Sequence, residues 1–187
     1  MPNPATATPT PGRTGPPWTA EGTVYFYGGP FSNFAPTPGL SLPVAYHGHH
    51  ERERVPAAST EHWFQACKAT SRAQFDAILA CLSPALAKRA GRATVLRPDW
   101  EQVKYQVMLC ALRGKFALEP YRAALLLTHP HPLVEDSRDD HVWGGRDADG
   151  TLTGQNLLGR ALMQIRDELV ADLRTRLRAI APGRPAR

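Results

Sequence analysis

Residues 59–68 carry the clearest helix signal in the chain and read Ser59-Thr60-Glu61-His62-Trp63-Phe64-Gln65-Ala66-Cys67-Lys68. Ser59 or Thr60 is a good N-cap, so we predict a helix from here to about Thr70. At helical spacing these residues divide into two faces. The core face consists of Trp63, Ala66, Cys67 and Thr70, and the polar face of Glu61, Gln65 and Lys68. One short segment therefore presents a carboxylate, an amide and an ammonium group in a row.

Glu61 lies in the first turn of this predicted helix. The positive end of the helix dipole favours the ionised carboxylate there, which makes Glu61 a better base or stabiliser of positive charge than a proton donor. The alternative interpretation is structural, an acidic first turn on a solvent-exposed helix face. Both interpretations fit the spacing.

The remaining predicted elements are mostly helices. Capping and breaking residues predict helices over residues 71–80, 83–91, 98–116, 120–127 and 158–177, and the leucines at 125–127 are predicted to be buried. Strands are predicted at 24–27 and once within 133–154, whereas 36–56 is typical of irregular chain or a weak hairpin. The fold class predicted is mainly α, a compact single helical domain with a few short β-strands.

Length and composition predict one domain. The chain has 187 residues, 42% of them apolar, which is enough for one core. Residues 1–20 hold six prolines and a single charge, so we predict a disordered leader, then a domain over 21–181 and a flexible basic tail over 182–187. No segment reaches the ~18 apolar residues of a membrane helix, and the start does not read as a signal peptide. We expect a cytoplasmic protein whose three separated cysteines are reduced and buried.

The net charge of +5 is concentrated at the end of the chain. Residues 160–187 contain seven arginines and three carboxylates, a net charge of +4, which leaves a net charge of +1 for residues 1–159. This arginine run is typical of a solvated helix face, and contact with phosphates is the alternative. The nearly neutral body does not indicate a nucleic-acid-binding protein.

A second polar cluster spans residues 135–149, where acids surround Trp143, Gly144 and Gly145. Glycine lets backbone approach a ligand and tryptophan offers a stacking face, so a carboxylate can meet a sugar here. A magnesium site and a solvated acidic turn are the alternatives, and the spacing matches no EF-hand loop. The histidines at 47–50 and at 129 and 131 lack the context of a zinc site. We predict no metal and no cofactor.

Five blocks of sequence stand out when they are taken together in order. They are FSNF (31–34), TEHWFQACK (60–68), Trp100 with Val103-Lys104 and ALRGKF (111–116), DHVWG (140–144) and GQNLLGRALM (154–163). Their order and gaps, from about residue 24 to residue 170, resemble those of the NADAR (NAD- and ADP-ribose-associated) family, also called YbiA-like.

The resemblance implies a mostly helical domain that hydrolyses N-glycosidic bonds between ribose and a base. Two substrate classes follow from it. One is the phosphoribosylamino-pyrimidine intermediates of riboflavin biosynthesis, which would release ribose 5-phosphate. The other is ADP-ribose on guanine in DNA, removed in an antitoxin-type reaction. A non-catalytic module that binds NAD or ADP-ribose is a third interpretation. The expected partner is a small-molecule phosphoribosyl or ADP-ribosyl substrate, with nucleic acid only in the second case and no membrane.

The resemblance also assigns site residues. Glu61 would stabilise positive charge on the anomeric carbon, Asp140 would activate water or hold the ribose hydroxyls, and Trp100 and Trp143 would sandwich the base or sugar. Lys68 would contact phosphate or react with an opened sugar. Substrate contacts are expected from Phe31, Ser32, Asn33, Phe34, His62, Gln65, Lys68, Lys104, Gly144 and Asn156. Candidate cations for a phosphate are Arg113, Lys115, Arg146 and Arg160.

Overall fold

The helix predicted at residues 59–68 lies at the centre of the domain. The computed structural model describes residues 18–20, 22–145 and 154–180, and every residue of helix α1 (Thr60–Ala66) is buried. The oxygen Oγ of Ser59 caps this helix by accepting from the backbone N–H of His62. Helix α1 packs against the three helices that follow it. Those and the remaining helices are α2 (Arg72–Leu79), α3 (Pro84–Ala93), α4 (Trp100–Phe116), α5 (Tyr121–Leu126) and α6 (Leu157–Ile180).

The described strands form two small sheets. A three-stranded sheet has the order β1-β2-β5, and β3 pairs with β4 in an antiparallel hairpin. Strand β1 is antiparallel to β2, whereas β2 and β5 run parallel with Phe26 opposite Glu135. The strands are β1 (Trp18–Ala20), β2 (Thr23–Phe26), β3 (Ser41–Tyr46), β4 (His49–Pro56) and β5 (Leu133–Glu135).

The parallel pair brings two distant segments together. Because the carboxyl ends of parallel strands meet at the same edge, the segment after β2 and the segment after β5 leave the sheet side by side. The first continues through a short 3₁₀ turn, Gly29–Phe31, into Asn33. The backbone O of Asn33 accepts from the backbone N–H of Glu61 at 3.0 Å, which ties this segment to the start of α1.

The predicted mainly α fold is confirmed, and so are the caps of three helices. Ser59, Ser71 and Ser83 accept backbone N–H groups at the starts of α1, α2 and α3. Helix α1 is shorter than predicted, ending at Ala66 instead of near Thr70. Of the two alternatives for residues 36–56, the hairpin is confirmed, since β3 and β4 pair over residues 41–56 with a register shift between Pro43 and Ala45.

Three other expectations need correction. Helix α3 continues past Gly91 to Ala93, because this glycine is a packing position against α1 and not a helix stop. Of the three leucines predicted to be buried, Leu125 is buried but Leu127 is 84% exposed. Cys67 is buried as expected, whereas Cys81 and Cys110 are half-buried.

Parts of the predicted domain organisation fall outside the described residues. These include positions 1–17, 146–153 and the tail 182–187. The last three residues of the predicted leader, Trp18–Ala20, form strand β1. Within the described part of the chain, no helix is long and apolar enough to cross a membrane.

Candidate active site

A polar cavity of about 160 Å³ opens where α1, α3, α4 and the two segments beyond the parallel strands meet. Side chains of both charges line it. The lining residues are Ser32, Asn33, Phe34, Glu61, Phe64, Gln65, Lys68, Lys88, Arg92, Met108, Glu135, Asp140 and Trp143.

The polar face predicted for α1 points into this cavity. Glu61, Gln65 and Lys68 all line it, and Gln65 donates from Nε2 to Oε1 of Glu61 at 2.8 Å. Glu61 is only 5% exposed. The alternative of a solvent-exposed acidic turn is therefore wrong for this helix. Its opposite face is core, since Trp63 is 1% exposed and donates from Nε1 to the backbone O of Pro43 at 2.8 Å.

The direction expected for the pKa of Glu61 needs correction. Burial raises the pKa of Glu61, and the hydrogen bond from Gln65 and the positive charges of Lys88 and Lys68 oppose that shift only in part. Desolvation of the carboxylate outweighs the favourable first-turn position. Burial likewise lowers the pKa of Lys68, whose Nζ lies 5.4 Å from the ring centroid of Trp100.

The segment after β2 contributes Ser32, Asn33 and Phe34. Asn33 is held by Thr60, whose hydroxyl donates to both oxygens of Asn33 at 3.1 Å. The amide of Asn33 donates to Sδ of Met108 at 3.4 Å. All three positions line the cavity, and their binding role stays a prediction.

Asp140 and Trp143 enter from the segment after β5. Oδ1 of Asp140 accepts from the backbone N–H groups of Val142 and Trp143, at 3.2 and 2.9 Å, which fixes a turn and the direction of the carboxylate. Asp140 is half-buried and lines the cavity.

Glu135 is a third carboxylate of the cavity, and sequence reasoning missed it as a site residue. Burial, aided by the negative charges of Asp140 and Glu61, raises its pKa to about 7. Asn156 accepts the backbone N–H of Glu135 at 3.1 Å, and Gly145 donates to its backbone O at 2.9 Å. Glu135 ends a strand within an acidic run, and that sequence alone did not distinguish it from its solvated neighbours.

Two cations of α3 were also missed. Lys88 and Arg92 are spaced one turn apart and both line the cavity. Nζ of Lys88 lies 5.6 Å from the ring centroid of Phe34. Their i, i+4 spacing was a usable signal, but on its own it also fits an exposed helix face.

A wider groove adjoins the cavity. It has a volume of about 550 Å³ and shares Ser32, Phe34, Lys88, Glu135 and Asp140 with the cavity. Its other lining residues are Tyr27, Gly28, Gly29, Ala35, Pro36 and Ser137. Aromatic and small apolar residues thus dominate the outer part of the site.

A family model described as NADAR domain matches residues 25–170. The chain belongs to the NADAR family. It is 38% identical over 151 residues to N-glycosidase YbiA of Escherichia coli K12, which covers 77% of this chain and 83% of that protein. N-glycosidase Npun_R5314 of Nostoc punctiforme is 35% identical over 158 residues, covering 79% and 92%. The chloroplastic riboflavin biosynthesis protein PYRR of Zea mays is 34% identical over 156 residues, covering 76% of this chain and 23% of that protein.

A solved structure agrees with this assignment. The NMR structure of E. coli YbiA has a TM-score of 0.65 and 34% identity to this NADAR domain, covering 89% of this chain and 92% of the other. The resemblance seen in the sequence segments is therefore confirmed at the level of family and fold.

The aromatic residues of this NADAR site differ from the expected sandwich. Phe64 contacts both indoles edge-on, with ring centroids 5.0 Å from Trp100 and 5.3 Å from Trp143. Trp143 lines the cavity, but Trp100 does not. Trp100 is 6% exposed and supports Phe64 and Lys68 from behind.

Two residues expected to bind substrate are core residues instead. Phe31 is 1% exposed and packs on the rings of Phe26 and Phe116. His62 is 2% exposed, and its ring nitrogens contact Oγ of Ser59 and the backbone O of Cys81. Neither side chain lines the cavity.

Three further expected contacts are replaced by structural roles. Lys104 forms an ion pair with Glu101 on α4. Gly144 lies in the turn closed by Asp140, where a Cβ would approach the backbone O of Asp140 to 2.6 Å. The side chain of Asn156 binds the backbone of β5.

The expected phosphate-binding cations are likewise engaged elsewhere. Arg113 pairs with Glu168 at 2.7 Å, and the fully buried Lys115 donates to the backbone O of Ser32 at 2.8 Å. Arg160 is exposed on α6 and does not line the cavity, and Arg146 lies outside the described residues. Lys68, Lys88 and Arg92 supply positive charge to the cavity instead.

Proposed function

We propose that this NADAR protein is an N-glycosidase that hydrolyses the ribose–base bond of phosphoribosylamino-pyrimidines, intermediates of riboflavin biosynthesis, and releases ribose 5-phosphate. Two relatives that match most of this chain are named N-glycosidases. A third is named a riboflavin biosynthesis protein, which supports this substrate class.

The observation that carries the proposal is the charge pattern of the cavity. Glu61, Glu135 and Asp140 line it together with Lys68, Lys88 and Arg92. Breaking an N-glycosidic bond builds positive charge on the anomeric carbon, which carboxylates beside it stabilise. A phosphoryl group needs cations, and Lys88 and Arg92 offer two on neighbouring turns of one helix.

Glu61 is the residue we assign to the anomeric carbon. It lies inside the cavity, away from the wider groove, and Gln65 holds its carboxylate by a hydrogen bond. Asp140, oriented by its turn, is assigned to water activation or to the ribose hydroxyls. Trp143 and Phe64 exclude water from one wall.

A second candidate function has one specific observation in its favour. The adjoining groove of about 550 Å³ has space for a substrate larger than a sugar phosphate. Hydrolysis of ADP-ribosyl guanine in DNA would use that space. In that case activity falls steeply with salt, because DNA binding releases counterions.

The test is a turnover assay of the purified protein on phosphoribosylamino-pyrimidines and, in parallel, on an ADP-ribosylated guanine oligonucleotide. We expect release of ribose 5-phosphate from the first substrate. Glu61→Gln keeps the side-chain shape, and we expect it to lower kcat by at least ~100-fold. The matched control is Glu53→Gln, an exposed residue of β4 whose partner is Arg72.

The three results separate the candidates. Release of ribose 5-phosphate alone supports the metabolite-directed N-glycosidase. Release of ADP-ribose alone moves the protein to the DNA-directed reaction. Turnover of neither substrate, combined with tight binding of ADP-ribose, favours the non-catalytic module, and full activity of Glu61→Gln contradicts the role given to Glu61.

A further inference from the structure

The cavity and the groove divide the site into two regions of different chemistry. Glu61, Gln65, Lys68 and Arg92 line only the cavity, which is therefore charged and suits a sugar and its phosphate. The groove adds Tyr27, Gly28, Gly29, Ala35 and Pro36, which suit the flat face of a base.

The bond that joins sugar and base must then cross the boundary between the two regions. Five residues line both, and they are Ser32, Phe34, Lys88, Glu135 and Asp140. Only two of these five are carboxylic acids. Their position at the boundary places them beside the bond that breaks.

We propose that Glu135 is a catalytic acid that donates a proton to the nitrogen of the leaving base, a role distinct from those of Glu61 and Asp140. This inference rests on the proposed N-glycosidase function. Cleavage of an N-glycosidic bond leaves an electron pair on nitrogen, and a positioned acid neutralises it as it forms.

The backbone on both sides of Glu135 is fixed. Asn156 and Gly145 hold its N–H and C=O, and β5 is paired in register with β2. The carboxyl group thus projects from the rigid end of a strand into the boundary between cavity and groove. Groups placed on paired strands are held more accurately than groups on loops.

The surroundings raise the pKa of Glu135 into the neutral range. Its pKa is raised to about 7 by burial, then by the negative charges of Asp140 and Glu61, against the opposing charge of Lys88. Lys68 and Arg92 are the other charged groups of the cavity. A carboxyl group of this pKa can both hold a proton and release it at pH 7.

The C1′–N bond breaks, its electron pair goes to nitrogen, and the proton of Glu135 goes to the same atom. Water adds its oxygen to C1′ and gives its proton to Asp140. The products are ribose 5-phosphate and the free base, and exchange with solvent returns a proton to Glu135 and removes one from Asp140.

The test uses two substrates that differ in their need for a proton. The base of a phosphoribosylamino-pyrimidine leaves only with a proton, whereas nicotinamide mononucleotide loses neutral nicotinamide without one. We expect Glu135→Gln to lower kcat at least ~100-fold on the first substrate. On nicotinamide mononucleotide we expect kcat to change by less than about fivefold, because its leaving group needs no proton.

The pH profile gives an independent measurement on the first substrate alone. Wild-type kcat should fall about tenfold per pH unit above pH 7, as the carboxyl group loses its proton, and Glu135→Gln should show no such decline. Glu53→Gln is the matched control and should keep the wild-type profile.

The outcomes are separable from those of the proposed function. A wild type that releases no ribose 5-phosphate defeats both proposals. An active wild type with equal losses on both substrates in Glu135→Gln shows that the residue is structural. A variant that keeps full activity, or keeps the alkaline decline, also overturns the role of proton donor.

Discussion

Gly91 of α3 faces the catalytic side of α1, and its replacement by alanine tests how tightly the site is held. A Cβ at this position would lie 2.9 Å from Cβ of Gln65, and closer still to its Oε1. Ordinary contacts begin at 3.4 Å. Because a Cβ is attached directly to the backbone, α1 and α3 must separate by about 0.5 Å, and Gln65 moves with α1.

The magnitude follows from two opposing contributions. Overpacking costs about 1–3 kcal/mol, and alanine gains about 1 kcal/mol over glycine within a helix. We expect a net loss of about 1 kcal/mol and a melting temperature lower by about 2–4 °C. Gln65 positions Glu61 by their hydrogen bond. A displacement of half an ångström should therefore lower kcat about tenfold, since misplacement by 1 Å costs about a hundredfold.

The control is Gly114→Ala on α4. A Cβ there approaches Cδ2 of Leu42 to 2.5 Å, which is the end of a side chain that can rotate away. Neither Gly114 nor Leu42 lines the cavity. Thermal unfolding and ribose 5-phosphate release are measured for both variants. The reasoning is refuted if Gly91→Ala folds and keeps wild-type kcat, or if Gly114→Ala loses as much activity.

Two further predictions concern stability. Burial lowers the pKa of Lys115 to about 7, so between pH 7 and 10.5 the unfolded chain binds a proton that the native protein has released. The free energy of unfolding, measured by urea titration, should therefore rise by up to about 5 kcal/mol over this pH range. Lys115→Met should lack this rise, and an equal dependence on pH in the wild type and the variant would contradict the prediction. Asn156 has a φ of +51° and hydrogen bonds to the backbones of Glu135 and Leu133. Asn156→Ala should lose about 2–4 kcal/mol in urea unfolding, and Asn156→Gly about 1 kcal/mol less because glycine tolerates this φ; equal losses would exclude backbone strain.

Local signals were sufficient for the helices and for one wall of the site. Serine caps and helical spacing located α1, α2, α3 and α4, and the spacing of Glu61, Gln65 and Lys68 correctly placed them on one face. These predictions succeeded because a cap and a helical stripe depend on residues within a few positions of each other.

Other features depended on contacts between distant segments. Glu135 reaches the site because β5 pairs in parallel with β2, more than a hundred residues earlier in the chain. Lys88 and Arg92 reach it because α3 packs on α1. Helical spacing alone does not say which neighbour a helix face will meet.

The protonation states show the same division. The first-turn position of Glu61 favours an ionised carboxylate, and that effect can be read from neighbouring residues. Burial instead raises the pKa of Glu61, and the residues around its carboxylate come from five separate segments of the chain. Desolvation depends on everything that surrounds a group in space. The amino-acid sequence by itself therefore determined the helices and the family. The tertiary structure decided how many carboxylates line the cavity, which cations join them, and how burial shifts the pKa values of these groups.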